Sequence, residues 1–392
     1  MRHSLCSIGC RLQDSQRLLG LQRDDANIAV HPRRIKMRIN GFIARFFVAF
    51  SLLVVANYFW GSLAVAKDGL AADRGHKLST VGDFLALSVR PIAIGHHGVA
   101  PNEGTDPSLP LENTVESVRL AYTLGARVVE VDVQLTQDGQ LAVFHDDFLS
   151  DFTCIHSLTL DQLQQRLPFV PELHQIMNVA REFNERSGDD LGGILIVELK
   201  AFSPHCDPAD EFEQGVVTAA VNEIRKSNMT KQVMFDSFSP ALLELAGQTG
   251  PEIPRELDIS GLQLLSPAQI EAITKLPVTI ISKKNSVGLT WAEIGPVFRL
   301  PGYASPQQFL ATGMGLGVRV VGGEVDFFGP AEQQQPGSGA AFVSGAHALG
   351  LRVFADPSNT KADWDFFASL GVDAIYSTIP LGVQLQPKIP EQ

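Results

Sequence analysis

The sequence predicts a (β/α)8 barrel, also called a TIM barrel, that follows an N-terminal signal peptide or membrane-anchor segment. Beyond residue 90, short strand-like runs alternate with helical patterns. The runs are apolar on both faces, which is typical of parallel strands covered by helices. The number of repeated units favours a closed barrel over an open, doubly wound sheet. We therefore expect one barrel domain at residues 88–386.

The composition is that of a folded protein with many loops. The chain has 392 residues, of which 45% are hydrophobic, and it contains 34 glycines and 23 prolines. This length suits a single barrel with a leader segment. The formal net charge of −12 argues against a nucleic-acid partner, because a protein that binds nucleic acid needs a basic face.

The N-terminal region differs from the rest of the chain. Residues 1–36 are polar and without a clear period, so we expect them to be disordered or not translated, with Met37 as the start. Residues 37–66 have a basic start, an apolar run and a final "AVA", the layout of a signal peptide. The alternative is an uncleaved anchor, since residues 46–66 could span a bilayer and give membrane association. Both alternatives place the barrel outside the cytoplasm, as a periplasmic, secreted or membrane-anchored protein.

Nine segments are candidate strands, and a closed barrel needs eight. They are residues 91–97, 127–133, 141–146, 194–200, 232–238, 277–284, 317–324, 351–357 and 372–378. We expect that one of the later segments is not a barrel strand. Helical patterns lie between most of them, as in residues 112–125, which end in a glycine that can cap a helix. Residues 329–340 are predicted to be a loop from their composition.

The second candidate strand places two acids on one face. In "RVVEVDV" (127–133), Glu130 and Asp132 alternate with valines, so the valines face the helix layer and the acids face the barrel mouth. Two neighbouring carboxylates repel each other unless they share a cation. Glu198, which shares a face with Lys200 in the fourth candidate strand, can supply a third carboxylate. Three carboxylates without a cysteine or histidine cluster favour Mg²⁺ or Ca²⁺ over zinc.

Two histidines stand at the ends of other candidate strands. His96 ends the first strand, and His145 ends the third. Catalytic groups of parallel barrels gather at the carboxyl ends of the strands, so these imidazoles should join the acids at the mouth.

Six short motifs, taken in order, resemble the glycerophosphodiester phosphodiesterase family. They are "GHHG" (95–98), "LENT" (111–114), "GARVVEVDVQLTQDG" (125–139), "FHDD" (144–147), "VELK" (197–200) and "DSF" (236–238). Their order and spacing are similar to the family pattern over residues 91 to about 240, and residues 350–380 resemble it loosely. One such motif would be weak evidence, whereas six in order are specific.

The resemblance implies a TIM barrel that hydrolyses glycerophosphodiesters to an alcohol and sn-glycerol 3-phosphate with a divalent metal, Ca²⁺ or Mg²⁺. It implies three metal ligands: Glu130, Asp132 and Glu198. It implies that the catalytic acid–base pair is His96 and His145. It also implies three residues that contact substrate: His97, Glu112 and Lys200. The acid–base roles suit histidine near neutral pH, but the sequence leaves open which histidine is the acid.

The chain departs from the family pattern in three places. The arginine of the usual His-Arg-Gly is His97 here, which removes a bidentate phosphate donor. A histidine can replace it only when protonated, which predicts slow turnover and a preference for mildly acidic pH. The span 98–111 looks longer than in the family, and the tryptophan of the late strand end is missing from residues 354–359.

Three functions remain open from the sequence. The first is a phosphodiesterase acting on small glycerophosphodiesters. The second is a lipid-directed relative, resembling sphingomyelinase D, that acts on lysolipids or sphingolipids. The third is a decayed barrel that serves as a binding protein, which the altered His97 and the altered C-terminal strands favour. Retention of every implied metal ligand and of both histidines argues against the third.

Cys154 and Cys206 follow the third and fourth candidate strands. Their loops should be neighbours on the catalytic face, and an extracytoplasmic protein can keep such a pair oxidised. A disulfide and two unrelated thiols both fit the sequence, because the distance between their Cα atoms decides between them.

Overall fold

The computed structural model describes residues 78–99, 108–185, 192–275, 290–378 and 381–386. The predictions for residues 1–36 and 37–66, including the apolar run 46–66, lie outside the described residues. Among the described helices, none has the length and apolar character needed to cross a membrane.

Nine strands form one sheet, and eight of them are parallel and close into a barrel. They are β1 (Ile92–Gly95), β2 (Val128–Leu135), β3 (Leu141–Val143), β4 (Ile194–Leu199), β5 (Val233–Ser237), β6 (Arg255–Leu257), β7 (Val320–Glu324), β8 (Arg352–Ser358) and β9 (Ala374–Ser377). Closure follows because β1 pairs in parallel with both β9 and β2. The predicted TIM barrel is thus confirmed.

Among the described strands, the one that does not belong to the barrel is β3, which was wrongly counted as a barrel strand from the sequence. That one of the later segments is not a barrel strand stays a prediction. β3 pairs antiparallel with β2, and the residues between them, 136–140, are too few for a helical crossover. His145 therefore follows a hairpin rather than ending a barrel strand. The barrel strand missed by the sequence is β6, whose three residues are too few to show a pattern. The candidate at 277–284 lies outside the described residues.

Thirteen α-helices are described. They are α1 (Val81–Ala86), α2 (Val115–Leu124), α3 (Leu160–Arg166), α4 (Leu173–Glu185), α5 (Glu213–Lys226), α6 (Pro240–Thr249), α7 (Pro267–Thr274), α8 (Trp291–Ile294), α9 (Pro306–Leu316), α10 (Val325–Gln334), α11 (Ser338–Ala348), α12 (Lys361–Leu370) and α13 (Leu381–Leu385). The predicted loop at 329–340 was wrong, since it falls mostly on α10 and α11. α10 retains Pro330 in its interior, and Phe327 and Phe328 anchor that helix in the core.

The main core lies between the sheet and the helices. The alternating valines of β2 pack there with Val118 of α2 and Ile176 of α4. Burying each such side chain contributes about 1.5–3 kcal/mol relative to leaving it in water. This packing confirms that the valines of β2 face the helix layer and turn Glu130 and Asp132 into the barrel.

Helix α1 closes the amino-terminal end of the barrel. Its N-cap is Thr80, whose hydroxyl accepts a hydrogen bond from the Asp83 amide at 3.1 Å. The ring of Phe84 lies 5.6 Å from that of Phe354, inside a cluster of apolar residues from the strands. This helix lies before residue 88, where the barrel domain was predicted to start. We call Phe84, Phe354 and the apolar residues that pack with them the apolar floor of the barrel. Towards the carboxyl ends of the strands, the interior of the barrel becomes polar.

Candidate active site

Three carboxylates converge where β2 lies beside β4. Glu130 and Asp132 occupy the middle of β2, and Glu198 is the register partner of Asp132. All three are buried, and each offers a ligand atom within 4.8 Å of the others. Among the described residues, Glu130 Oε1 has no hydrogen-bond partner. Burial and the nearby Asp132 raise the pKa of Glu130 well above its usual value. We call these three residues the carboxylate triad.

Lys200 is the counter-charge of this triad. Its Nζ lies 2.9 Å from Asp132 Oδ1 and 2.6 Å from Glu198 Oε2. Burial lowers the pKa of Lys200, but these two carboxylates outweigh burial and raise it well above its usual value. Burial likewise raises the pKa of Asp132, while Lys200 and His97 hold it well below its usual range. The lysine therefore stays charged.

His97 is buried against carboxylates, with only 1% of its surface exposed. Its Nε2 lies 3.2 Å from Asp132 Oδ2, its Nδ1 lies 3.5 Å from Glu112 Oε2, and its amide donates to Glu130 Oε2 at 2.9 Å. Burial lowers the pKa of His97, but Asp132 and Glu130 outweigh burial and raise it to about 9. The imidazole is therefore charged at neutral pH, which removes the reason for expecting a mildly acidic optimum.

The backbone around His97 is held in an unusual conformation. His97 has φ 52°, in the left-handed region that costs a non-glycine residue about 1–3 kcal/mol. Gly98 follows with φ 86°, and a Cβ at that position would collide with Ser117 Oγ. The Ser117 hydroxyl donates to the His97 carbonyl at 3.0 Å, and so does the Asn113 amide. These contacts offset the strain and fix the direction of the His97 ring.

Asn113 is a positioning residue that the sequence analysis did not single out. Its Nδ2 donates to Asp132 Oδ2 at 2.7 Å, and its Oδ1 accepts from the Asp132 amide at 3.1 Å. Asn113 belongs to the motif "LENT", from which only its neighbour Glu112 was considered as a site residue. Burial raises the pKa of that acid, Glu112, but His97 outweighs burial and lowers it. The predicted role of Glu112 in substrate binding stays a prediction.

His96 and His145 lie on either side of His97. The ring centroid of His97 is 3.8 Å from that of His96 and 5.4 Å from that of His145. His145 Nδ1 lies 2.7 Å from Asp146 Oδ1, whereas His96 Nδ1 is buried without a partner among the described residues. The structure therefore brings both predicted catalytic histidines to the carboxylate triad.

The two outer histidines have opposite protonation preferences. Burial and the charged His97 lower the pKa of His96 well below its usual value. Burial and Lys200 lower the pKa of His145, but Asp132 and Asp146 outweigh them and raise it to about 9. One imidazole is thus neutral and the other charged at neutral pH.

The three histidines, each predicted at the mouth, also contact one another, which was not predicted from the sequence. Two groups that include them also hold ligand atoms within 4.8 Å of one another: His96 with His97 and Glu130, and His97 with Asp132 and His145. His145 is far from His96 and His97 along the chain, and the hairpin of β2 and β3 brings it beside them. The sequence alone therefore does not show this contact. The triad alone offers only oxygen ligands, the kind that Ca²⁺ and Mg²⁺ prefer.

The strands that continue the barrel beyond β4 carry further acids that the sequence analysis missed, and the first of them, Asp236, is the register partner of Glu198. Strands β5 to β8 place them in the interior: Asp236, Glu256, Asp258, Glu324 and Asp356. We call this set the acidic wall. A signal was present in "FDSF" and "RELDIS", where acids alternate with apolar residues as they do in β2.

A cavity of about 60 Å³ at the mouth joins the predicted site residues. It is lined by all three histidines, by Glu198 and Lys200, and by part of the acidic wall. Among the described residues that line it, Lys200 is the one lysine or arginine. A phosphodiester at this position would meet the imidazoles and the ammonium group together.

A disulfide joins the two loops that border the mouth. Cys154 and Cys206 are bonded, with 5.5 Å between their Cα atoms. Beside them, Asp147 Oδ2 accepts hydrogen bonds from the amide and hydroxyl of Ser203 at 2.7 and 2.8 Å. The predicted neighbourhood of these loops is confirmed. The bridge fixes the segment that carries His145.

A closed parallel barrel with carboxylates, imidazoles and a lysine at its mouth defines this chain as a TIM-barrel enzyme. The glycerophosphoryl diester phosphodiesterase family model matches residues 100–378, more than two thirds of the chain. The chain belongs to this family. The match begins just after His96 and His97, so their roles rest on the geometry and on the motif that contains them.

Individual relatives are similar over shorter stretches. A glycerophosphocholine phosphodiesterase of Eremothecium gossypii is 48% identical over 94 residues, which is 22% of this chain and 7% of that protein. The match therefore spans less than a tenth of that relative's length. A glycerophosphodiester phosphodiesterase of Caldanaerobacter subterraneus is 24% identical over 42% of this chain and 65% of that protein.

Solved structures share the fold. A Silicibacter pomeroyi protein named for this family aligns with a TM-score of 0.54 and 20% identity, over 81% of this chain and 95% of that one. An Oleispira antarctica phosphodiesterase, solved in complex with the product sn-glycerol-3-phosphate, aligns with a TM-score of 0.50 and 23% identity over 75% and 95%. At these identities the likeness concerns the fold alone.

Proposed function

We propose that this protein hydrolyses glycerophosphodiesters to an alcohol and sn-glycerol 3-phosphate, with Ca²⁺ or Mg²⁺ held by the carboxylate triad. The observation that carries the proposal is that a neutral and a charged imidazole lie beside this triad and line one cavity with Lys200. A phosphodiester is anionic and resists attack, so its cleavage requires positive charge and proton transfer at one place. The site supplies both.

The triad fits a divalent cation. Its three carboxylates are buried within 4.8 Å of one another, and Glu130 Oε1 lacks a partner among the described residues. Oxygen ligands of this kind suit Ca²⁺ or Mg²⁺. A cation bound there would stabilise negative charge that develops on the phosphate oxygens. The ion-pair contacts of Lys200 and His97 and the hydrogen bonds of Asn113 hold the triad in position.

The two outer histidines divide the proton transfers. His96 Nε2 lies 3.9 Å from Glu130 Oε2, beside the triad, and the neutral ring can accept a proton from the water molecule that attacks phosphorus. His145 holds Asp146 through Nδ1, which leaves Nε2 to donate a proton to the leaving alkoxide. This assignment of roles rests on the neighbouring group of each ring, Glu130 for His96 and Asp146 for His145. The lowered pKa of His96 and the raised pKa of His145 agree with it.

Names of relatives support the choice of substrate. The Eremothecium gossypii relative is named a glycerophosphocholine phosphodiesterase, and so is one from Schizosaccharomyces pombe that is 37% identical over 118 residues. The Oleispira antarctica phosphodiesterase was solved with sn-glycerol-3-phosphate as product. Glycerophosphocholine is therefore the first substrate to test.

One experiment separates the functions that remain open. The purified protein is incubated with glycerophosphocholine, lysophosphatidylcholine or sphingomyelin, in Ca²⁺, in Mg²⁺ or in EDTA. We expect sn-glycerol 3-phosphate and choline from glycerophosphocholine in a divalent cation, and no product in EDTA. The His145→Asn variant serves as the inactive control. Cleavage of the two lipids alone would support a lipid-directed enzyme instead, and no cleavage of any substrate would support a binding protein.

We also propose that the protein works outside the cytoplasm, in the periplasm or as a secreted or membrane-anchored protein. The disulfide supports this location, because such bonds persist in oxidising compartments. The signal-like pattern of residues 37–66 agrees with it. N-terminal sequencing of the native protein is the test. A start near residue 67 indicates a cleaved signal, a start at Met37 indicates an anchor, and a start at Met1 contradicts the expectation that translation begins at Met37.

A further inference from the structure

A second cavity lies at the amino-terminal end of the barrel, the end opposite the mouth. Its volume is about 400 Å³, and sites for small molecules have about 300–1,000 Å³. Helix α1 lines one side of it, and the residues that lead into β7 and β8 line the other. The proposed reaction does not use this cavity, although it is large enough for a small molecule.

The polar side chains that line this cavity are all basic. Among the described residues of the lining they are Arg319, His347 and Arg352, and the others are glycines, leucines and an alanine. A lining without an acid is unusual in a chain whose formal net charge is −12. The composition of the cavity therefore favours an anionic ligand.

Arg352 is held beside a second arginine, Arg90, by two shared acceptors. Arg352 Nε and Arg90 Nη2 each donate to the Leu85 carbonyl at 3.0 Å. Asp373 Oδ1 lies 2.9 Å from Arg352 Nη1 and 3.2 Å from Arg90 Nε. Burial lowers the pKa of Arg90 to about 10, and while Asp373 opposes this effect, the positive charge of Arg352 adds to it. Two like charges are thus held together at one carboxylate.

Positive charge exceeds negative charge in this group. Asp373 also accepts from the Val353 amide at 2.8 Å and lies 2.7 Å from His347 Nε2, so with the two arginines it has the about four partners that a carboxylate accommodates. Arg90 Nη1 is buried without a hydrogen-bond partner among the described residues. The exposed side chain of Arg319 has no partner in the described part of the chain either. Even with His347 neutral, three guanidinium groups and one carboxylate leave two positive charges uncompensated.

We propose that this cavity binds a phosphate dianion, either free phosphate or the phosphomonoester group of a small molecule. The planar fork of a guanidinium group donates two parallel hydrogen bonds to phosphate oxygens. Arg319 and Arg352 belong to neighbouring segments, since the Arg352 amide donates to the Arg319 carbonyl at 3.1 Å, so one anion can contact both side chains. A dianion compensates the two excess charges. The inference does not depend on the reaction at the mouth.

The test is calorimetric titration of the metal-free protein with inorganic phosphate, with sn-glycerol 3-phosphate and, as an uncharged control, with glycerol. Arg319→Gln should weaken phosphate binding about tenfold or more, because it removes a charged hydrogen-bond donor. Arg119→Gln on α2, where the arginine is also exposed, is the matched control and should bind as the wild type does. Phosphate bound at the mouth would be unaffected by either substitution, so the comparison isolates the cavity.

The two phosphate compounds distinguish the sources of the anion. Tighter binding of sn-glycerol 3-phosphate than of inorganic phosphate at the site weakened by Arg319→Gln indicates a phosphomonoester, and the reverse order indicates free phosphate. Three results overturn the proposal: no phosphate binding by the wild-type protein, equal affinity in the wild type and Arg319→Gln, or equal weakening by Arg119→Gln.

Stability against urea provides a second measurement. The side chain of Arg319 makes no hydrogen bond or ion pair among the described residues, so Arg319→Gln should fold as the wild type does. Because binding to the folded state alone adds stability, phosphate should raise the urea midpoint of the wild type and of Arg119→Gln more than that of Arg319→Gln, relative to chloride at equal ionic strength. An equal rise in all three proteins contradicts the proposal. Neither measurement requires catalysis, so failure of the proposed hydrolysis would leave the result interpretable.

Discussion

Replacing Lys200 with methionine should strongly destabilise the protein when no divalent cation is present. The ammonium group lies 2.9 Å from Asp132 Oδ1 and 2.6 Å from Glu198 Oε2, and its side chain is 16% exposed. Methionine keeps most of the side-chain length and removes the charge. Breaking a buried ion pair from one side costs about 3–5 kcal/mol, because the remaining charges stay buried without compensation. We expect a loss of this size in the free energy of unfolding.

A saturating divalent cation should remove most of that loss. A cation on the carboxylate triad supplies the positive charge that Lys200 supplied, and binding to the folded state alone adds stability. The remaining cost should be about 1 kcal/mol, the net value of an ordinary hydrogen bond. The measurement is urea unfolding followed by far-ultraviolet circular dichroism, in EDTA and in excess Ca²⁺.

Lys226→Met is the matched control for this experiment. Its ammonium lies 3.3 Å from Glu223 but is 78% exposed, so its ion pair should be worth less than about 1 kcal/mol with or without Ca²⁺. Equal losses for the Lys200 variant in EDTA and in Ca²⁺ would refute the reasoning. A loss below about 1 kcal/mol in EDTA would refute it as well, because Lys200 would then not be the counter-charge of the triad.

Four further predictions concern the site and the disulfide beside it. Glu130→Gln should abolish Ca²⁺-dependent hydrolysis of glycerophosphocholine, and undiminished turnover of the wild-type protein in excess EDTA would argue against a metal. His96→Ala and His145→Ala should each lower kcat by about 10²–10⁴-fold, and a loss below about tenfold would remove that histidine from the mechanism. Wild-type kcat should also decline above about pH 9, where His145 loses its proton. Cys154→Ala/Cys206→Ala should lower the free energy of unfolding by about 4 kcal/mol from loop closure over a separation of 52 residues. A change below about 1 kcal/mol in urea unfolding would contradict the last estimate.

The parts of the fold that the sequence predicted correctly depend on local alternation. In β2, valines and acids alternate along the strand and therefore point to opposite faces of the sheet. Once the valines are buried against the helices, the acids must point into the barrel. The same parity in β4 places Glu198 beside Asp132. Strand identity was harder where it depends on distant pairing. β3 and β6 have three residues each, and only their partners in the sheet show that β6 belongs to the barrel and β3 to a hairpin.

The sequence predicted which residues form most of the site, but it did not predict their charge states. Motifs named His96, His97 and His145 separately, whereas their contact arises from the hairpin and from the left-handed backbone at His97. The acidic wall was missed because its acids occur singly on consecutive strands, and only closure of the barrel brings them together. Charge balance inside a barrel is a property of the whole ring of strands rather than of any one motif.

The apolar floor formed by α1 determines how molecules pass through the barrel. Phe84 and its neighbours close the amino-terminal end in the part of the chain that the structure describes, so the mouth serves for both arrival and departure. Under the proposed reaction, the released alcohol must leave past the space that the next substrate will occupy. sn-Glycerol 3-phosphate that lingers there blocks that substrate, and inhibition by this product should be competitive.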